Sequence, residues 1–194
     1  MRIGIIFGGQ SREREISFAG GRTVYDNLNK SLFSPVPIFI DSLGNFILLD
    51  WQYLYKGTIR DFYPDTSLTP KRKYFFQIYA ESVAFEKDVI EKSIQKIGRK
   101  IQPEELRDLI DFAFLALHGP YGEDGNIQGI LEWYGIPYSG AGILPGSIGI
   151  DKAIQKDILS NAGFEVLKST TIERNDWIAS KDKVLASIKA EFEF

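Results

Sequence analysis

Residues 2–9 have the sequence Arg-Ile-Gly-Ile-Ile-Phe-Gly-Gly, a near-continuous run of β-branched and aromatic residues that ends in paired glycines. Such a run predicts a strand buried on both faces of a parallel sheet, since a solvated face would show alternating polar residues. After a short loop, apolar or small residues recur every fourth position at Ile16, Gly20, Val24 and Leu28, which predicts one face of a helix. A strand, a glycine turn and a helix begin a βαβ unit, so the fold class indicated is α/β with a parallel sheet.

Further elements follow the same logic. Residues 36–40 and 46–49 are apolar runs around turn-forming residues, which indicates a hairpin. Residues 112–117 predict a second buried strand. Between them the pattern is weaker, and it suggests only a strand at 74–79 and two short helices within 86–110, around Pro103.

The last third of the chain has clearer signals. Asp151 suits the N-cap of a helix over residues 152–161, and Gly163 suits its C-terminal glycine. The other elements expected are a helix around residues 127–134, a short strand at 136–138, a strand at 166–172, a helix at 177–189 and a strand-like end at 191–194.

Composition narrows the classes of function. The 194 residues allow one domain with part of another, and their net charge of −3 and lack of a long basic run argue against a nucleic-acid partner. The short basic stretch 71–73 predicts a solvated loop. With no cysteine and one histidine, thiol chemistry and a multi-histidine metal site are excluded. No segment approaches the roughly 20 apolar residues that span a bilayer, so the expected location is cytoplasmic.

Two glycine-rich loops with charged residues follow predicted strands, at residues 8–15 and 118–125. Ligands of open parallel sheets bind beyond the carboxyl ends of the strands, where these loops lie. Taken singly, the first loop equally fits a simple glycine turn, because it has neither a G-x-G-x-x-G nor a P-loop pattern. In the second loop, Glu123 and Asp124 can hold His118 or nearby amides, or favour the N-terminus of a helix.

Three collinear motifs carry a specific resemblance. Residues 7–17, Phe-Gly-Gly-Gln-Ser-Arg-Glu-Arg-Glu-Ile-Ser, resemble the N-terminal signature of the D-alanine–D-alanine ligases. Residues 116–132, from Ala-Leu-His-Gly-Pro-Tyr-Gly-Glu-Asp-Gly onward, and residues 136–140 resemble that family's second signature. Asp151-Lys152, with Lys156 four residues on, resembles a third. The resemblance covers about residues 1–29 and 112–165.

The resemblance implies roles for individual residues. Glu13 and His118 are expected to be catalytic and to bind the first D-alanine, Glu13 through its ammonium group and His118 beside its carboxylate. Ile16 is expected to lie beside the methyl group of that substrate, and Lys152 to contact the ATP phosphates. Four further residues are expected to support these groups: Glu15, Ser17, Glu123 and Asp124. No metal ligand is expected in this chain.

The same resemblance implies a domain division. Residues 1–141 correspond to a Rossmann-like pre-ATP-grasp domain with a variable insert at about 41–110, and residues 142–194 to the beginning of the ATP-grasp domain. Residues 145–147 are Pro-Gly-Ser, where many members have Ala-Ser-Ala. We therefore expect a loop with extra backbone freedom there, and Ser147 receives no role.

The reaction that the resemblance implies is ATP-dependent ligation in peptidoglycan synthesis. The carboxylate of one D-alanine would attack the γ-phosphate of ATP, and the amine of a second would displace phosphate from the resulting D-alanyl phosphate. The Mg²⁺ or Mn²⁺ ligands and most ATP contacts would lie in later residues, so we expect this chain alone to be inactive. The expected partners are D-alanine, ATP and a second copy in a homodimer.

Two alternatives remain open at this point. A ligase for D-lactate or D-serine as second substrate would share these motifs, because that choice is made by later residues. A non-catalytic binding module could keep the same fold, although it would have no need for Glu13, His118 and Lys152 together.

Overall fold

A computed structural model of the chain describes residues 1–59, residue 63 and residues 86–192. The predicted strand at 74–79 and the basic stretch 71–73 lie outside these residues. The chain divides into two compact units, Met1–Ile150 and Asp151–Phe194.

The first unit is built on a five-stranded sheet with the order β4-β3-β2-β1-β5. The strands β1 and β2 pair in parallel from Arg2 with Ser34 to Gly8 with Ile40, and β5 pairs in parallel on the other side of β1. The strands β3 and β4 are antiparallel, so the predicted hairpin is confirmed as β2–β3. The strand bounds are β1 Arg2–Gly8, β2 Ser34–Ile40, β3 Phe46–Leu49, β4 Gly98–Ile101 and β5 Phe112–Leu115.

Helices flank this sheet and make up the second unit. In the first unit they are α1 Arg14–Asn27, α2 Lys87–Ile97, α3 Leu106–Leu109, α4 Asn126–Trp133 and α5 Ile143–Ile150, with short 3₁₀ turns at Trp51–Tyr55 and Pro103–Glu105. In the second unit they are α6 Lys152–Asn161 and α7 Arg174–Phe192. The α/β class predicted from the sequence is confirmed.

The strand β1 supplies side chains to both faces of the sheet. Ile3, Ile5 and Phe7 belong to one buried cluster with residues of α1 and α2, while Ile6 belongs to a second cluster with residues of α4. Successive side chains of a strand point to opposite faces, so a strand covered on both sides has an uninterrupted apolar sequence. This is the physical reason why residues 2–7 could be assigned from sequence alone.

Val24 and Leu28 of the face predicted for the helix α1 pack against the buried cluster that contains Phe7. The helix nevertheless packs on β1 through a face that overlaps the predicted one only in part. Its buried residues are Arg14, Ser17, Phe18 and Gly21, whereas Ile16 is 64% exposed. Gly21 determines which face of the helix lies against β1, because an added Cβ there would lie 2.5 Å from the Phe7 ring. Close approach of helix and strand at a glycine rotates the helix away from its most apolar stripe.

Among the shorter elements of the first unit, some predictions are confirmed and others are wrong. The helices at 127–134 and around Pro103 are confirmed, while β4 was missed and residues 136–138 make only an isolated bridge from Ala113 to Tyr138. The loop expected at 145–147 is wrong, because these residues lie within α5.

In the second unit, the Asp151 carboxylate accepts hydrogen bonds from Ala153 N and Ile154 N, and Gly163 has φ of +87°, so both predicted helix ends are confirmed. The helix expected at 177–189 is also confirmed, with a non-helical residue at Ser180. Residues 166–172 are not a strand. Of the strand-like end predicted at 191–194, Glu191 and Phe192 belong to α7, and residues 193–194 lie outside the described residues. No other strand is described in this unit for such segments to pair with, and an isolated strand is unstable in water.

Two adjacent glycines of α1 offer a test of this packing. Gly21→Ala forces a methyl group against Phe7, which is fully buried between Phe18 and Phe39 and has no room to move. Overpacking of this kind costs about 1–3 kcal/mol, against a gain in helix propensity of at most about 1 kcal/mol. We expect a lower free energy of unfolding in urea denaturation.

Gly20→Ala is the matched control. The nearest atom to its new methyl would be Ala116 Cβ at 3.9 Å, an ordinary contact. Only the helix propensity changes, so we expect stabilisation of up to about 1 kcal/mol. Shifts of equal sign and size in the two variants would contradict the packing described here.

Candidate functional site

The parallel strands β1, β2 and β5 end at the same edge of the sheet, and each is followed by a loop. Gly9 N donates to Ile40 O at 2.7 Å, and Ala116 N donates to Ile6 O at 2.9 Å. The chain segments that leave β1 and β5 therefore start side by side. This edge is where open parallel sheets bind ligands.

A buried serine ties two of these strand ends together. Ser17 is fully buried, and its hydroxyl accepts from Gly8 N at 2.8 Å and donates to Ala116 O at 2.6 Å. Both bonds lie beyond the last ladder pair of β1 and β5, which joins Ile6 to Leu115. Ser17, which is expected to support the site, thus joins the two loops. It does so by bonding to the backbone of Ala116, which is 99 residues away in sequence.

Glu13 lies where the two loops touch. Its side chain is exposed and makes no capping hydrogen bond to α1, while its N–H donates to Ser11 Oγ at 3.1 Å. A Cβ added to Gly119 would lie 2.7 Å from Ser11 Oγ and 2.9 Å from Glu13 Oε2. Glycine at position 119 therefore allows the Glu13 carboxylate to approach the residue that follows His118.

His118 is partly buried and lines a pocket of about 240 Å³ at the strand ends. Its walls are mostly apolar, and its polar groups come from His118, Gln10 and Asn126. The apolar and aromatic side chains lining the pocket are Ile40, Phe46, Leu117, Pro120, Tyr121, Ile127 and Ile130. Neither Glu13 nor Ile16 is part of this lining, so Glu13 stands beside the His118 loop and outside the pocket.

The acids of the second loop hold backbone amides. Glu123 Oε2 accepts from Gly119 N at 2.7 Å, and the Asp124 carboxylate accepts from Tyr121 N at 2.8 Å and Asn126 N at 3.1 Å. The sequence left open that these acids hold neighbouring amides or favour a helix N-terminus, and the bonds correspond to both, because Asn126 is the first residue of α4. They fix the backbone of the loop that follows His118.

The pKa of Asp124 reflects this arrangement. Partial burial acts to raise the pKa of the carboxyl, but the hydrogen bonds from Tyr121 and Asn126 together outweigh burial and lower it. A carboxyl with a depressed pKa stays ionised at acidity where an ordinary aspartate is protonated. Its contribution to stability is present at neutral pH and is lost only as the pH falls through the lowered pKa.

The helix α5 supports the same loop from outside. Ser147 Oγ donates to Asp124 O at 2.7 Å, and a Cβ on Gly146 would lie 2.9 Å from Glu123 O. The displaced Pro-Gly-Ser sequence thus places a glycine at the point of closest approach and a serine hydroxyl beside it. The first compact unit consequently extends to Ile150, beyond the predicted domain boundary at 141.

A buried aspartate that the sequence did not indicate holds the third loop. Asp41 follows the last residue of β2 and is fully buried. Its carboxylate accepts from Leu43 N, Asn45 N, Asn45 Nδ2 and the Tyr63 hydroxyl at 2.6–2.9 Å. Burial, followed by the charge of Asp41, raises the pKa of the Tyr63 hydroxyl, so it remains a donor. The turn-forming sequence Asp-Ser-Leu-Gly-Asn at residues 41–45 was the local signal for this loop. No sequence pattern indicated that Tyr63 would bond to Asp41.

Three other residues of the first motif have distinct places. Arg14 is 1% exposed on the inner face of α1, which its charge did not lead us to expect. Glu15 is partly buried in the first turn of α1, and Ile16 is exposed on the same helix.

The lysines of the third motif lie in the second unit. Lys152 is an exposed residue at the start of α6, and Lys156 Nζ donates to Leu167 O at 3.0 Å. The Asp151 carboxylate already accepts from the Ala153 and Ile154 amides at 3.0 and 3.1 Å. For a phosphate ligand, this helix start therefore does not offer those two N–H groups.

The described residues contain no group of three or more His, Cys, Asp or Glu side chains able to hold a metal ion. Within the same part of the chain, no helix combines the length and apolar character needed to cross a membrane.

The chain is similar to known proteins in sequence and in fold. The family described as D-ala D-ala ligase N-terminus matches residues 2–141. A D-alanine–D-alanine ligase of Natranaerobius thermophilus is 30% identical over 194 residues, all of this chain and 48% of the relative. One from Chlorobium chlorochromatii is 33% identical over 193 residues, 99% of this chain and 50% of the relative. The chain thus spans about half the length of these relatives.

Solved structures agree in fold. The D-alanine–D-alanine ligase of Coxiella burnetii has a TM-score of 0.68 and 24% identity, covering all of this chain and 50% of that one. The VanG D-Ala:D-Ser ligase of Enterococcus faecalis has a TM-score of 0.61 and 26% identity, covering 95% of this chain and 48% of that one.

The acids of the second loop can be tested independently of each other. Asp124→Ala removes the acceptor for the Tyr121 amide, and Glu123→Ala removes the acceptor for the Gly119 amide. A hydrogen bond to a charged group contributes about 1.5–3 kcal/mol, so amide hydrogen exchange should accelerate about tenfold or more at the amide concerned. Each variant serves as the control for the other; equal acceleration at both amides in both variants would contradict separate clamps.

Proposed function

The chain belongs to the D-alanine–D-alanine ligase family through the N-terminal domain that it carries, and we propose that this domain binds the first D-alanine of an ATP-dependent ligation. The observation that supports the proposal best is the meeting of the two strand-end loops. Glu13 Oε2 lies against Gly119, and His118 lines the adjoining pocket. A carboxylate and an imidazole on two loops that meet suit a small zwitterion, which carries one ammonium and one carboxylate.

In this proposal the Glu13 carboxylate attracts the ammonium group of D-alanine, and the His118 imidazole donates a hydrogen bond to its carboxylate. Positioning the substrate through both charged ends fixes which carboxylate oxygen faces a phosphate donor. Ile16, exposed on α1, is proposed to face the substrate methyl group. Glu15, Ser17, Glu123 and Asp124 act through the backbone or helix positions that they hold.

The proposed ligation consumes ATP as a substrate. A carboxylate oxygen of the first D-alanine bonds to the γ-phosphorus as ADP leaves, and the amine of the second D-alanine then bonds to the carbonyl carbon as phosphate leaves. The dipeptide product is proposed to serve peptidoglycan synthesis. Lys152 is proposed to contact the ATP phosphates.

The described residues do not fit Mg²⁺, since no cluster of acids or histidines among them can hold a metal. We propose that the metal ligands and most ATP contacts belong to the half of the relatives' length that this chain does not match. A homodimer is likewise proposed, with the exposed aromatics Trp51 and Tyr55 available for contact.

A D-alanine–D-serine ligase is the second candidate. It is favoured by the likeness to the VanG structure. None of the residues to which a role is proposed here is assigned to the second substrate. The two candidates therefore predict the same first-substrate site and differ only in the amine that completes the reaction.

Phosphate release in a coupled assay with ATP, Mg²⁺ and D-alanine tests the proposal. We expect D-alanine-dependent phosphate release from the longest natural polypeptide that carries this chain, and none above background from the 194-residue chain by itself. Adding D-serine at limiting D-alanine separates the two candidates, because only a D-serine ligase forms the mixed dipeptide efficiently.

Substitutions in the longer polypeptide locate the site. Glu13→Gln and His118→Gln should each lower kcat/KM for the first D-alanine by about 100-fold or more, the scale of lost transition-state contacts. Glu132→Gln is the matched control, since Glu132 accepts from the Tyr138 hydroxyl at 2.6 Å, away from the loops. Robust turnover by the 194-residue chain, or unchanged kcat/KM in both site variants, would contradict the proposal.

A further inference from the structure

Tyr121 has a backbone conformation that its side chain does not favour. Its φ is +67°, and among the described residues it alone combines a positive φ with a side chain. In this region the Cβ crowds the following carbonyl, at a cost of roughly 1–2 kcal/mol for residues other than glycine. Glycines at 119, 122 and 125 show that the loop accommodates glycine readily, yet position 121 carries a tyrosine.

Hydrogen bonds to the backbone of the loop maintain this strained conformation, and burial of the Tyr121 ring does not offset its cost. Tyr121 N donates to Asp124 Oδ2 at 2.8 Å, and Ser147 Oγ fixes the carbonyl of Asp124 at 2.7 Å. The side chain itself is 54% exposed, so core packing does not explain why tyrosine occupies this place. A residue that is strained, exposed and firmly held points to a role outside stability.

The pocket indicates what that role is. Tyr121 lines it together with His118, while Gln10 and Gly44 contribute from the loops after β1 and β2. The left-handed conformation therefore brings an aromatic ring to the His118 side of the pocket. An exposed ring there offers an apolar, rigid surface to a ligand held by His118.

We propose that Tyr121 is a substrate-contacting residue that limits the size of the side chain on the first D-amino acid. This inference rests on the proposed function, because it takes the ligand of the His118 site to be D-alanine. The ring packs against the substrate on the side away from its charged groups, leaves room for a methyl group and obstructs larger side chains.

The test uses the longest natural polypeptide that carries this chain, with initial rates of phosphate release on D-alanine and on D-2-aminobutyrate, which is larger by one methylene. Tyr121→Gly removes both ring and strain, Tyr121→Asn removes the ring and tolerates the same φ, and Tyr121→Phe keeps the ring. The glycine and asparagine variants should raise KM for D-alanine about tenfold and narrow its advantage over D-2-aminobutyrate about tenfold, the scale of one methylene. The phenylalanine variant should keep wild-type values.

Thermal unfolding separates this role from a structural one. Tyr121→Gly should unfold at or above the wild-type temperature, since strain is relieved. Trp133→Ala is the control, because Trp133 is 83% exposed and does not line the pocket, and its KM should be unchanged.

Wild-type KM and selectivity in the glycine and asparagine variants would overturn the inference while leaving the proposed function intact, and so would destabilisation of both. Absence of D-alanine-dependent turnover in the wild type would overturn the proposed function and this inference with it.

Discussion

The hydrogen bonds of the buried Ser17 hydroxyl hold the carboxyl ends of β1 and β5 together past the last pair of their ladder. Gly8 N and Ala116 O would otherwise be buried polar groups without partners, each costing about 1–3 kcal/mol. Since Glu13 lies one helical turn before Ser17 and His118 lies two residues after Ala116, this hydroxyl helps to hold together the two segments that carry the proposed substrate-binding groups.

Around that tie, the site is built from backbone groups held by carboxylates. Asp41 closes the turn after β2, while Glu123 and Asp124 accept from amides in the loop that follows His118. These acids bind backbone amides of the loops. The Glu13 carboxylate makes no capping hydrogen bond to α1, so it can bind a ligand. Some residues therefore shape the loops, while others face outward toward a ligand. The strained Tyr121 belongs to the second group.

Local signals made part of this predictable from the sequence. The apolar run of β1 and the Asp151 cap of α6 depend on neighbouring residues, and both were placed correctly. The buried face of α1 depends on the fit of Gly21 against Phe7, and the hydrogen bond from Tyr63 to Asp41 joins residues 22 apart through a region of weak pattern. Such long-range contacts leave no periodic trace. The roles of Glu13, Ile16, His118 and Lys152 came from resemblance, and they stay predictions.

The central claim is that Glu13 and His118, on separate loops, belong to one site for D-alanine. A crystal structure of the longest natural polypeptide carrying this chain, grown with D-alanine, tests it most directly. We expect a single D-alanine within hydrogen-bond distance of both side chains, with its ammonium toward Glu13 and its carboxylate toward His118. D-alanine bound elsewhere, or bound to one of these residues with the other turned away, would contradict it.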